Sequence, residues 1–141
     1  MILSQTSVYA LKAVLHLAGT AKDEFVRVDD IAADLKVPRN YLSKILHALA
    51  RVGVLGSTRG PHGGFRLAKN PAKLTLDEVL APFDEVMGES ACLLGRKRCS
   101  DANPCAAHDR WKGVYAGVKT FFQETTVADL ARGAIPEVTL R

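Results

Sequence analysis

The chain has 141 residues and a mass of 15.2 kDa, a size typical of one domain or of two very small ones. Hydrophobic residues make up 48% and charged residues 24%, as in ordinary globular proteins with a buried core. No apolar stretch approaches the length of a membrane span, and Lys12 interrupts the apolar run near the start, which lacks the basic segment of a secretory signal. These features argue against a membrane channel, a secreted disulfide scaffold and a large multidomain enzyme, and we expect a cytoplasmic protein.

The net charge of +4 is unevenly distributed along the chain. Residues 36–73 contain eight Lys and Arg and no Asp or Glu, whereas the rest of the chain contains 11 basic and 15 acidic residues. Clustered cations bind polyanions because they displace counterions from phosphates. The segment therefore predicts contact with nucleic acid, and a merely solvated basic face is the alternative.

The first half of the chain predicts three helices. Apolar spacing favours a helix over residues 5–19 and a short one around residues 29–35, with Asp29 or Asp30 as its N-terminal cap. Lys36 and Val37 then form a tight break, Pro38 takes the first position of the third helix, and Gly53 ends it. The third helix has an apolar side (Leu42, Ile45, Leu46, Leu49, Val52) and a polar side (Asn40, Ser43, Lys44, His47, Arg51). This order is typical of a helix-turn-helix whose second helix reads DNA.

A β-hairpin is predicted directly after this helix. Residues 54–59 and 65–67 are the two strands, and the sequence Gly-Pro-His-Gly-Gly joins them. A hairpin in this place is a wing, whose slim tip would offer Arg59 and His62 to a minor groove. The glycine-rich turn is not a nucleotide site, because no Lys-Ser/Thr pair follows it and it does not lead into a helix.

The second half begins with a capping box at residues 75–78, which opens a helix through about Phe83 that Pro82 shortens. Residues 88–104 have no clear period, and a long helix is predicted from about Ala106 to Gln123. Thr126 can cap a short final helix. The long helix carries a broad apolar stripe, which would pack against a second copy of the chain, against the protein's own first helix, or against both. The stripe consists of Trp111, Val114, Tyr115, Val118, Phe121 and Phe122.

We therefore expect a mostly helical protein with a small β-hairpin wing and a long C-terminal dimerisation helix. Its expected parts are a winged helix-turn-helix DNA-binding region over residues 1–82, a cysteine-bearing loop over residues 83–105, and the dimerisation helix with the C-terminal segment over residues 106–141.

All three cysteines, together with one histidine, lie close together in the sequence as C-x6-C-x5-C-x2-H. They are Cys92, Cys99, Cys105 and His108. Three thiolates and an imidazole suit a 2Fe–2S cluster, a 4Fe–4S cluster or Zn²⁺, and in a cytosolic chain they argue against structural disulfides. The wide gaps between the cysteines favour a larger guest than zinc, and Arg96, Lys97 and Arg98 would partly neutralise an anionic cluster. Three reduced thiols without metal remain the alternative.

With these elements in this order, the sequence resembles the IscR/NsrR-type winged-helix regulators, often called the Rrf-two family. The resemblance covers about residues 1–131 and is carried by Tyr-Ala-Leu at 9–11, Tyr-Leu-Ser-Lys-Ile-Leu at 41–46, the wing R-G-x-x-G-G-F at 59–65, the three cysteines, and Cys-Ala-Ala-His-Asp-Arg-Trp at 105–111. It implies a homodimeric transcription regulator whose DNA affinity responds to an iron–sulfur cluster, and thereby to cluster supply, nitric oxide, redox state or iron. The ending C-x2-H-x2-W looks like the branch with three cysteines and one histidine, whereas the six-residue gap after Cys92 departs from the IscR branch.

The combined interpretation assigns residues to two sites. Cys92, Cys99, Cys105 and His108 are expected to hold the cluster. The expected contacts to double-stranded DNA are Arg39, Asn40, Tyr41, Ser43 and Lys44 in the major groove and on adjacent phosphates, and Arg59 and His62 in the minor groove.

Three alternatives retain fewer of these features. The first is a zinc-containing or metal-free regulator of the same fold that responds to thiol oxidation or to a partner protein. The second is a small iron–sulfur electron carrier, which would need neither the wing nor the basic segment. The third is a thiol enzyme using Cys105 and His108, for which the sequence offers no substrate pocket, so we expect no enzymatic activity.

Overall fold

A computed structural model describes residues 3–20, 23–84, 94 and 101–133 of the chain. These residues form a mostly helical winged helix with one two-stranded antiparallel hairpin, as the sequence predicts. The elements are α1 (Gln5–Ala18), α2 (Val28–Leu35), α3 (Arg39–Arg51), β1 (Leu55–Thr58), β2 (Gly64–Leu67), a 3₁₀ turn (Pro71–Lys73), α4 (Leu76–Leu80), α5 (His108–Glu124) and α6 (Val127–Ala131).

The helix-turn-helix departs from the sequence-based expectation at its caps. Neither Asp29 nor Asp30 caps α2, because the residue before the helix is Arg27, which makes no side-chain capping bond. Asp29 instead points toward Arg39 of α3. Lys36 makes the turn in the left-handed conformation, with φ of 55°, and Pro38 precedes α3 rather than opening it.

The wing is tied to the rest of the fold by a third short extended piece. β1 and β2 pair antiparallel with Leu55 opposite Leu67 and Ser57 opposite Phe65. Val26 and Phe65 exchange two backbone hydrogen bonds of 2.8 Å, which attaches the hairpin to the segment before α2. This attachment fixes the wing beside the N-terminal end of the helix-turn-helix.

The elements after the wing begin and end close to their predicted positions. The capping box of Thr75 and Glu78 is present, but α4 ends at Leu80 and a turn covers residues 81–83. α5 begins at His108, two residues later than expected. Most of the predicted loop at residues 88–104, including Cys92 and Cys99, lies outside the described residues.

The hydrophobic core joins the N-terminal helices to the end of the chain. Val127 of α6 and Phe122 of α5 are buried in the same cluster as Val14 of α1 and Val79 of α4. Two backbone hydrogen bonds connect the segment between α5 and α6 to the start of α4. Leu76 N donates to Thr125 O at 3.0 Å, and Val127 N donates to Leu74 O at 2.8 Å. These contacts pack α6 on α1. The division of the chain into three parts stays a prediction.

The predicted apolar stripe of α5 is divided between two environments. Phe122 is buried in the protein's own core and Val118 packs partly against it, whereas Val114 and Phe121 are 58% and 50% exposed. Packing on the protein itself therefore accounts for only part of the stripe. Within the described ranges, none of the helices has both the length and the apolar character needed to cross a membrane.

Candidate nucleic-acid interface and cysteine site

Helix α3 presents most of the predicted DNA contacts at its N-terminal end. Its buried residues, Leu42, Ile45, Leu46 and Leu49, fix the helix against the core. The opposite side is left to solvent, where four of the predicted residues are exposed and Ser43 is half-buried. The exposed four are Arg39, Asn40, Tyr41 and Lys44.

Tyr41 is held by the start of α1. Its hydroxyl is hydrogen-bonded to the hydroxyl of Thr6, and its ring meets that of Tyr9 edge-on with 5.5 Å between the centroids. The Tyr9 hydroxyl in turn accepts a hydrogen bond of 2.8 Å from Gln5. α1 thereby sets the position of the first turn of α3, a link that no local pattern in the sequence reveals.

The middle of α3 contacts the wing through His47. The His47 ring lies edge-on to Phe65 of β2, at 5.2 Å between centroids, and its Nδ1 donates to the backbone oxygen of Ser43 at 2.7 Å. His47 is therefore exposed yet fixed. It holds the reading helix and the hairpin in one arrangement.

The wing tip carries Arg59 and His62 in exposed positions, as expected. Gly60 has φ of +105°, which favours glycine. A Cβ on Gly64 would lie 2.3 Å from the Val26 carbonyl oxygen, and one on Gly63 would lie 2.5 Å from that of Thr58. The glycines thus permit the hairpin to pack tightly against its own turn and against the segment before α2.

A groove of about 320 Å³ runs between α2, α3 and the wing. It brings together Arg39 and Arg59, which the sequence predicts, with Arg27, which sequence reasoning missed. Only the basic character of Arg27 could have indicated it, because its place beside α3 depends on the tertiary fold. Three arginines converging on one groove suit a phosphate backbone.

A carboxylate lies among these arginines. Asp29 Oδ1 accepts a hydrogen bond from Nε of Arg39, and Asp29 Oδ2 lies 3.7 Å from Nη2 of Arg27. All three side chains are at least half exposed. Residues 36–73, which supply most of this surface, contain no Asp or Glu, so the fold brings in a negative charge from outside that segment.

The described half of the cysteine site lies at the start of α5. Cys105 is half-buried, and its backbone oxygen accepts from the His108 N–H at 3.1 Å. His108 is 6% exposed, and its Nε2 is 2.8 Å from Asp101 Oδ1. The structure therefore places Cys105 and His108 within one turn of chain, while Cys92 and Cys99 lie outside the described residues. Among the described residues no set of three or more His, Cys, Asp or Glu side chains is grouped so that it could hold a metal ion.

Asp101 is a site residue that sequence reasoning missed. Its carboxylate accepts from Lys112 at 3.0 Å as well as from His108. The hydrogen bonds from Lys112 and from His108 hold the pKa of Asp101 below its ordinary value of 3.8. A carboxylate is then charged at neutral pH and can only accept, so Nε2 of His108 is the donor in this contact. The spacing of seven residues before His108 gives no local signal for this contact.

Comparison with known proteins decides the family. The family model Rrf2, described as an iron-dependent transcriptional regulator, matches residues 3–133. The chain belongs to the Rrf2 family. The Rrf2 family match agrees with the resemblance inferred from the wing and the cysteines, and it makes the chain a DNA-binding transcription regulator by class.

Individual Rrf2 relatives agree with this class. A protein of Aquifex aeolicus named among the HTH-type transcriptional regulators is 40% identical over 132 residues, which cover 92% of this chain and 91% of the relative. The HTH-type transcriptional regulator IscR of Yersinia pseudotuberculosis is 28% identical over 130 residues, covering 92% and 79%.

Solved structures show the same fold. CymR, the global cysteine regulator of B. subtilis, superposes with a TM-score of 0.78 at 22% identity, covering 92% of this chain and 95% of CymR. The IscR of T. potens superposes with a TM-score of 0.73 at 19% identity, covering 92% and 85%.

Proposed function

We propose that this Rrf2 regulator is a homodimer whose affinity for its DNA operator is controlled by an iron–sulfur cluster. The cluster would be held by Cys92, Cys99, Cys105 and His108. One observation carries this proposal: a histidine buried one turn after Cys105 has its Nε2 engaged by the Asp101 carboxylate, so that Nδ1 is the ring nitrogen available to a metal.

The donor set fits the group. Histidines that ligate metals commonly donate their other ring N–H to a carboxylate, which fixes the tautomer and the ring orientation, and Asp101 is placed to do this for His108. Thiolates and imidazole are the ligands that iron–sulfur clusters take in proteins. A bound cluster would supply a centre that responds to electrons, oxygen or nitric oxide. The chain's own residues would hold it, orient His108 and shield the imidazole from water.

The DNA contacts of the proposal follow from exposure and position. Arg39, Asn40, Tyr41, Ser43 and Lys44 would meet the major groove and neighbouring phosphates, since they occupy the outward side of α3. The wing would place Arg59 and His62 in the adjacent minor groove, where negative potential attracts basic side chains.

The exposed part of the α5 stripe supports a homodimer. Val114 and Phe121 remain 58% and 50% exposed on a helix whose Phe122 is in the core. A two-fold DNA reader places two identical heads on two half-sites, and packing α5 against its copy would bury these residues. The spacing of the two heads would then depend on α5.

Contacts of the described residues link the cysteine segment to the reading helix. Asp84, at the start of the cysteine-bearing loop predicted over residues 83–105, accepts hydrogen bonds from Ser4 and Ser7 at the start of α1. The same end of α1 holds Tyr41 of α3 through Thr6. A change in the cysteine segment could thus bias the setting of α3, and coupling of about 1–3 kcal/mol is enough for a useful switch.

Operator binding by the loaded and the cluster-free protein tests the proposal. An operator is first selected from a random duplex pool by the anaerobically purified protein, and the affinities of both forms are then measured by gel shift. We expect them to differ about fivefold or more, the lower end of common allosteric coupling. Equal affinities would contradict control by the cluster.

Cys99→Ala tests the ligand set. We expect it to lose iron and sulfide while it remains folded, whereas Ser100→Ala at the next position should retain both. Full iron and sulfide content in Cys99→Ala would show that the proposed ligand set is wrong. A colourless wild-type protein with bound zinc would favour the zinc-containing alternative.

A further inference from the structure

Asp29 places a negative charge on the proposed DNA-binding surface, where it would weaken the attraction for phosphates. It projects from the first turn of α2 into the groove lined by Arg27, Arg39 and Arg59. A phosphate backbone entering this groove would be repelled by the carboxylate and attracted by the arginines. A role for Asp29 must therefore come from its contact with the arginines.

The contact with Arg39 leaves most of the guanidinium available. Asp29 accepts from Nε of Arg39, and the terminal amino groups of Arg39 have no partner among the described residues. A guanidinium carries five N–H donors in a rigid plane, so engaging Nε fixes the plane while the outer edge stays open. That edge is the one that pairs with two acceptors on guanine or on a phosphate.

We propose that Asp29 is a positioning residue that sets DNA specificity: it orients Arg39 through Nε and offsets charge that would otherwise bind any duplex. The proposal rests on the proposed role of α3 as the reading helix. The proposal predicts that the affinity for arbitrary DNA and the affinity for the operator respond differently to the loss of Asp29. Loss of the carboxylate should strengthen binding to arbitrary DNA more than binding to the operator, because the operator complex already uses the oriented Arg39.

Asp30 provides a matched control. Asp29→Asn and Asp30→Asn each remove one negative charge from the first turn of α2, so helix-dipole and net-charge effects are shared. Asp30 is exposed and has no ion-pair partner among the described residues. Only Asp29→Asn removes the charge that pairs with Arg39, whose Nε is then left with an uncharged amide oxygen as its acceptor.

The experiment measures binding to two duplexes of equal length, an operator selected by the wild-type protein and a random sequence, by fluorescence anisotropy over a range of salt concentrations. One additional phosphate contact makes the slope of log affinity against log salt steeper by about 0.9. The affinity gained from that one contact is then about eightfold larger at 0.1 M salt than at 1 M salt. For Asp29→Asn we expect this steeper slope on random DNA, about eightfold tighter binding there, and an operator-to-random ratio lower by a similar factor. Asp30→Asn should change both much less.

Two further variants separate positioning from a structural role. Asp29→Glu retains the charge within reach of Arg39 and should keep the wild-type slope and ratio. Arg39→Gln should cost operator affinity in the wild-type background and clearly less in the Asp29→Asn background, whereas a helix-stabilising role would leave the two costs equal.

The results distinguish this proposal from the function on which it rests. Identical behaviour of Asp29→Asn and Asp30→Asn, or equal costs of Arg39→Gln in both backgrounds, would overturn the role of Asp29 and leave DNA binding intact. If the wild-type protein selects no operator, the proposed function of α3 fails, and the role of Asp29 fails with it.

Discussion

Asp84 forms the tie between the end of α4 and the start of α1. It accepts hydrogen bonds from the N–H and the hydroxyl of Ser4, both at 3.0 Å, and from the hydroxyl of Ser7. Ser7 is fully buried beneath this carboxylate, so its hydroxyl loses its acceptor if the carboxylate is removed. Asp84→Ala should therefore destabilise the protein.

The magnitude follows from the three bonds. Hydrogen bonds to charged groups contribute about 1.5–3 kcal/mol each when shielded, and a buried donor without a partner costs about 1–3 kcal/mol. The two Ser4 bonds are exposed and are largely replaced by bonds to water, so the loss comes mainly from the Ser7 bond, and we expect a total of about 3 kcal/mol or less. Asp84→Asn should lose less, because its amide oxygen still accepts a hydrogen bond.

Urea unfolding monitored by circular dichroism, at one fixed protein concentration, measures this loss. Asp23→Ala is the control, because it removes an exposed carboxylate, and it should stay within about 0.5 kcal/mol of the wild type. Asp84→Ala combined with Ser7→Ala should cost less than the sum of the single changes, because the orphaned hydroxyl is gone. A value for Asp84→Ala equal to that of the Asp23 control would refute the reasoning.

The same contact predicts a pH dependence. Burial acts to raise the pKa of Asp84, but the hydrogen bonds from Ser7 and Ser4 outweigh it, so the pKa lies below the ordinary 3.8. A carboxyl with a lowered folded-state pKa contributes stability that is present above its ordinary pKa and is lost as the pH falls through the folded-state pKa. The stability difference between wild type and Asp84→Ala should therefore be constant near neutral pH and narrow below 3.8. A difference that stays constant through this acidic range would contradict the assignment.

Three further predictions concern the wing and the cysteine site. Arg59→Ala should weaken operator binding roughly tenfold at physiological salt and lower the slope of a salt titration by about 0.9, whereas Arg132→Ala should change neither. Gly64→Ala should cost about 1–3 kcal/mol in urea unfolding because its Cβ meets the Val26 carbonyl, while Gly56→Ala in the same hairpin meets only ordinary contacts. Asp101→Asn should lower iron affinity about 10–100-fold in a chelator challenge, with Asp109→Asn as its control. Equal iron loss from both would contradict the role of Asp101 in orienting His108.

The sequence predicts the winged helix because its signals are local. The glycine-rich turn between two short β segments indicates the hairpin, and Thr75 with Glu78 forms the capping box that the structure contains. The Rrf2 family itself is recognisable from the wing and the cysteine spacing together. These features depend on residues a few positions apart.

The features that the sequence does not reveal depend on distant contacts. Asp29 or Asp30 is predicted to cap α2, but Arg27 precedes the helix, and the Asp29 carboxylate pairs instead with Arg39, ten residues away across the turn. Val26 joins the wing through Phe65, 39 positions further along, and nothing local marks Val26 as extended. Phe122 belongs to an apolar stripe for which the sequence leaves open packing on a second copy, on the first helix or on both. The structure buries Phe122 in the core that also contains Val127 of α6 and Val14 of α1.

The most direct test of the cluster proposal is the metal content of protein purified without oxygen, taken together with its absorption spectrum. We expect a brown protein with visible absorption and matched amounts of iron and acid-labile sulfide, whose ratio to the chain separates 2Fe–2S from 4Fe–4S. A colourless protein that carries zinc, or that binds no metal after anaerobic reconstitution, would contradict it and leave an Rrf2 regulator governed by its thiols, by zinc or by a partner.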